Sequence, residues 1–119
     1  MFVKYTGRLS FATARRARIA FDFLCRTEGT VFYVPPQFAA DSRMFGATLD
    51  GRRVTFDYDG DCGYGEYYDT IAAVADVVGI ATAGKVILEA VEYEDEGPVK
   101  IRIAPADGLK KRIEKGEFG

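Results

Sequence analysis

Val3, Tyr5 and Gly7 alternate with Lys4, Thr6 and Arg8 at the start of the chain, a pattern that predicts a strand over 2–8. Phe11, Ala14, Ala17, Phe21, Leu24 and Cys25 then recur at helical spacing, with Arg15, Arg18, Asp22 and Arg26 on the opposite side. An amphipathic helix over 11–27 is expected, opened by Ser10 as N-cap and stopped at Gly29. The run Thr30-Val31-Phe32-Tyr33-Val34 is β-branched and aromatic, which predicts a short strand ended by Pro35-Pro36, and 35–42 reads as a loop.

A hairpin is expected over 43–59, where Asp50-Gly51 carries a type I′ turn signal between two alternating runs. Its two-residue loop would pair Leu49 with Arg52, Ala47 with Val54 and Phe45 with Phe56 on one face. Thr48 with Arg53 and Gly46 with Thr55 would lie on the other. Tyr67, Ile71, Val74, Ala75 and Val78 next form a narrow apolar stripe, so a helix should run over 66–79 and stop at Gly79. The segment 85–93 is apolar on both faces at its start, as a central strand would be, and 99–104 alternates strictly. An acidic turn at 94–98 joins them, and 107–119 reads as a short helix or a loose tail.

The predicted order is β-α-β-β-β-α-β-β, a single α+β domain over 1–119 with two helices packed on one face of a mainly antiparallel sheet. A ferredoxin-like arrangement with an added strand is one candidate topology.

Composition narrows the chemistry. A chain of 119 residues with 48% hydrophobic content can build one core. No apolar run approaches the ~20 residues needed to span a bilayer, and the N-terminus lacks the pattern of a secretion signal. Two cysteines, Cys25 and Cys62, give no disulfide framework, so reduced thiols in a cytoplasmic protein are expected. Histidine is absent, which excludes a Ser-His-Asp triad, a Cys-His dyad and a His-ligated zinc. There is no GxxxxGK[ST] loop and no GxGxxG, and no cofactor is implied.

The net charge of −2 is unevenly spread: residues 1–56 hold nine Lys/Arg and four Asp/Glu, and 57–119 hold seven and fourteen. The sequence pI near 5.2 argues against direct nucleic-acid binding, despite Arg15, Arg16, Arg18, Arg52, Arg53 and the basic cluster at 110–112.

The stretch 57–69 joins the hairpin to the second helix and holds five carboxylates, four tyrosines and three glycines. Tyr58 and Tyr67 fit core stripes, which leaves Tyr64 and Tyr68 to face outward. The favoured reading is non-catalytic recognition of a protein with a basic surface, as in small bacterial inhibitor, immunity or adaptor proteins. Asp59, Asp61 and Glu66 would attract the partner, and Tyr64 and Tyr68 would bury contact area.

Three other readings use the same residues. Asp57, Asp59 and Asp61 have the opening spacing of a calcium loop, but its sixth position is Cys62 instead of glycine and its twelfth is Tyr68 instead of glutamate. A metal-dependent or carboxylate-based enzyme would draw on Asp57, Asp59, Asp61 and Glu66. Cys62 stands near a helix N-terminus, which lowers a thiol pKa, among carboxylates that raise it. A self-associating structural protein would set the basic half of one copy against the acidic half of another, and no reading involves a membrane.

Overall fold

The computed structural model describes residues 1–38, 46–91 and 99–105. Strand β1 (Phe2–Ser10) leads to helix α1 (Ala14–Arg26) and a single 3-10 turn at Pro36–Phe38. The hairpin β2 (Ala47–Asp50) and β3 (Arg53–Asp61) follows, then helix α2 (Tyr64–Gly79), β4 (Ala83–Val91) and β5 (Val99–Ile103). All strand neighbours are antiparallel, in the order β2-β3-β1-β4-β5. The expected α+β class is present, with both helices packed against a five-stranded antiparallel sheet. The portion β1-α1-β2-β3-α2-β4 has the split β-α-β element order, and β5 is added beyond β4.

Alternation assigns the faces. Val3, Tyr5 and Leu9 of β1, Val54 and Phe56 of β3, Val86 and Leu88 of β4, and Ile101 and Ile103 of β5 are buried under the helices. Ala17, Ala20, Phe21, Leu24 and Cys25 of α1 and Tyr67, Ile71, Val74 and Val78 of α2 close the same cluster. Arg15, Arg16 and Arg18 remain exposed on the wet side of α1. Among the described residues the other sheet face bears no helix. Lys4, Arg8, Thr55, Asp57, Asp59 and Lys85 are exposed there.

Several boundaries differ from the sequence expectation. Ser10 belongs to β1, and the N-cap of α1 is Thr13, whose hydroxyl accepts the Arg16 N–H at 3.1 Å. The predicted strand at 30–34 is not a strand. Val31 donates its N–H to Thr70 Oγ1 at 2.9 Å, and Val34 donates to the Cys25 carbonyl at 2.8 Å. These bonds tie the segment to the two helices, not to a sheet neighbour. Phe32 is fully buried, edge-on to Tyr5, Phe56 and Tyr58. The β-branched and aromatic composition marks a plug that closes the core.

The hairpin pairs Leu49 with Val54, not with Arg52, a displacement of two residues from the expected register. Its loop is Gly51-Arg52. Gly51 has φ +58, and among the described residues no other residue type is left-handed. A type II′ turn needs a glycine only at its first central position, whereas a type I′ turn on Asp50-Gly51 would force Asp50 left-handed too. A displacement of two preserves the faces, so the apolar side read from the sequence is still the buried one.

Asp57 to Asp61 continue β3 and do not form a link. The pairing of Phe45, the acidic turn at 94–98 and the tail at 107–119 lie outside the described residues.

Candidate functional site

β3 delivers the acidic stretch to the helix-free face. Asp57, Asp59 and Asp61 alternate with Tyr58 and Gly60, so all three carboxylates point away from the core and are exposed. Across the sheet, Asp59 stands beside Lys4, Lys4 beside Glu89, and Glu89 beside Lys100. Glu89 and Lys100 form an exposed ion pair at 3.5 Å.

Only Cys62 and Gly63 separate β3 from α2. The Cys62 N–H donates to the Met1 carbonyl at 2.8 Å, which extends the β1–β3 pairing to the edge of the helix. Gly63 is the N-cap and offers no side chain, but Glu66 lies in the first turn, where a negative charge suits the helix dipole.

The tyrosines divide as the spacing predicts. Tyr67 is 8% exposed and Tyr58 is half-buried against Tyr5 and Phe32. Tyr64 and Tyr68, one helical turn apart, are 52% and 44% exposed. The Tyr68 ring meets Tyr67 edge-on at 5.1 Å, so one ring of the outward pair rests on a core residue.

The carboxylates do not gather at one point. Glu66, Asp61 and Asp59 act on Tyr58, and Glu66 and Asp61 act on Cys62. Asp69 instead lies beside Gly29 at the far end of α1. Among the described residues no three cysteines and carboxylates come close enough to hold a metal ion. An aspartate row along a single strand spaces its oxygens in a line, whereas a hard cation needs them wrapped around it.

Burial, aided by Asp22, pushes the Cys25 thiol up to about 11. Cys62 is also raised, by burial first and then by Glu66 and Asp61, with the N-terminal ammonium pulling it back. The helix N-terminus therefore does not activate this thiol. Tyr58 is raised by burial and then by Glu66 and its other acidic neighbours. A thiol whose pKa is higher in the folded state holds its proton more tightly there. Its contribution to stability is complete below pH 9 and is lost as pH rises to about 11. Urea unfolding from about pH 8 to about pH 11 should show a steeper loss for the wild type than for Cys25→Ala. Equal slopes would remove the thiol as the cause.

Two further features have no counterpart in the sequence reading. Ile19, Phe23 and Ile80 are exposed and, with Ala20 and Val77, line a shallow apolar groove between the helices. Ile19 and Phe23 stand four apart on a helix face otherwise read as basic, a spacing visible in the sequence. The second feature is Arg8 of β1 directly opposite Lys85 of β4. No spacing rule joins those two residues, because their strands are far apart in the chain.

No family model, curated protein or solved structure matches this chain at a significant level. Among the described residues no helix is long and apolar enough to cross a membrane.

Proposed function

We propose that this chain is a small non-catalytic binding protein that engages a basic protein surface through the β3–α2 junction, in the manner of bacterial inhibitor, immunity or adaptor proteins. Tyr64 and Tyr68 supply rigid apolar area at low entropic cost, and Asp59, Asp61 and Glu66 draw in the cationic partner. The observation that carries this reading is the outward position of both rings on consecutive turns of α2, while Asp59, Asp61 and Glu66 form no ion pair among the described residues. Both cysteines are free thiols, which suits a cytoplasmic setting.

A partner captured from a native lysate and then purified should bind the wild type and lose at least about 100-fold in affinity to Tyr64→Ala/Tyr68→Ala, as paired hot-spot rings would. The melting temperature of the double variant should stay near that of the wild type. Unchanged affinity would overturn the reading, and so would a large drop in melting temperature, which would make those rings part of the core.

A further inference from the structure

The helix-free face of the sheet carries a cationic pair away from the β3–α2 junction. Arg8 and Lys85 are direct cross-strand partners, and both are exposed there. Like charges in that position repel and weaken the pairing. Among the described residues no carboxylate forms an ion pair with either. On its other side Arg8 stands opposite Thr55, and the next pair on that face is Ser10 with Arg53. Two cations, Arg8 and Lys85, and the hydroxyls of Thr6, Ser10 and Thr55 therefore meet around one spot.

That spot is concave. An open depression of about 620 Å³ is lined by Thr6, Arg8, Ser10, Thr55, Asp57 and Lys85, with Gly7, Phe56 and Gly84 among them. This volume lies in the range of small-molecule sites. Asp57, opposite Thr6, is the lining carboxylate; it repels an anion but accepts hydrogen bonds from hydroxyls.

We propose that this concavity binds a small phosphate monoester carrying hydroxyl groups, of the sugar-phosphate class, with the phosphate between Arg8 and Lys85 and the hydroxylated body toward Asp57. The phosphate would turn the Arg8–Lys85 repulsion into two charge-assisted contacts, and Ser10 and Thr55 would add hydroxyl donors. A nucleic-acid backbone fits this face poorly. A long polyanion leaving the depression along β3 would run over Asp57, Asp59 and Asp61.

The full chain, labelled with ¹⁵N, should be titrated with glucose 6-phosphate, inorganic phosphate, glucose and a single-stranded oligothymidylate. Glucose 6-phosphate should shift the Gly7 and Gly84 amides, inorganic phosphate should do so more weakly, and glucose should not. Arg8→Gln and Lys85→Gln should each weaken glucose 6-phosphate by about tenfold or more. Lys85→Gln should leave thermal stability equal to or above that of the wild type, since it relieves a repulsion. No amide shift at millimolar glucose 6-phosphate would overturn the proposal. Binding by both glutamine variants as tight as by the wild type, or tighter binding of the oligonucleotide than of the sugar phosphate, would overturn it as well.

Discussion

Phe32→Ala is expected to lower the unfolding free energy by about 4 kcal/mol, the cost of emptying a fully buried aromatic site. Phe32 sits in an irregular segment yet is fully buried. Its ring centroid lies 5.4 Å from Tyr5, 5.4 Å from Phe56 and 6.0 Å from Tyr58. Truncation would leave a cavity bounded by β1 and β3 and remove three edge-to-face contacts, each worth about 0.5–1.5 kcal/mol beyond burial. The surrounding wall cannot readily collapse, because the backbone on either side is bonded to Thr70 and to the Cys25 carbonyl. Urea unfolding followed by tyrosine fluorescence measures the loss. A cost below about 1.5 kcal/mol would show that 30–34 is an ordinary surface loop.

Gly84→Ala should cost about as much, roughly 4 kcal/mol, for a different reason. Gly84 has φ +104, a backbone conformation that L side chains rarely adopt, and a Cβ there would run into the carbonyl oxygen of Arg8. The obstacle is main chain held in the β1–β4 pairing, so relief requires parting two central strands. Gly79→Ala is the matched control. No heavy atom lies within 4 Å of a Cβ built at Gly79, and the residue ends α2, so the added methyl should be neutral or stabilise by up to about 1 kcal/mol. Equal effects of the two alanines in denaturant melts would refute the clash.

Much of this architecture was legible in the chain because each reading rested on local period. Ala17, Phe21, Leu24 and Cys25 on the buried face of α1 followed from spacing, although Ala14 is exposed, Phe11 precedes the helix and Ala20 is also buried. So did the division of tyrosines into inward Tyr58 and Tyr67 and outward Tyr64 and Tyr68. The hairpin's faces were legible but its register was not. Period fixes parity, whereas register depends on which loop residue must take a left-handed conformation, here Gly51 and not Arg52. The 30–34 segment misled because β-branched and aromatic residues report burial as much as extension. Its actual partners, Thr70 and Cys25, lie on the two helices.

The charge asymmetry between the halves of the sequence was real, but folding redistributes it. β1, from the basic half, lies between β3 and β4, so Lys4 is flanked by Asp59 and Glu89. The same interleaving brings Arg8 against Lys85. Neither meeting can be read from the chain without the strand order, which is why the acidic junction was visible beforehand and the cationic concavity was not.

The placement of β1 also shapes how the protein reaches its native state. The strand at the middle of the sheet is the earliest of the five in chain order, and its two neighbours arrive only after α1 and after α2. During synthesis its hydrogen-bonding groups wait on one side until residue 61 and on the other until residue 91. The hairpin can close by itself, but local zipping cannot finish this sheet. Assembly is governed by two distant closures around one waiting strand, and loop entropy sets its pace more than helix formation does.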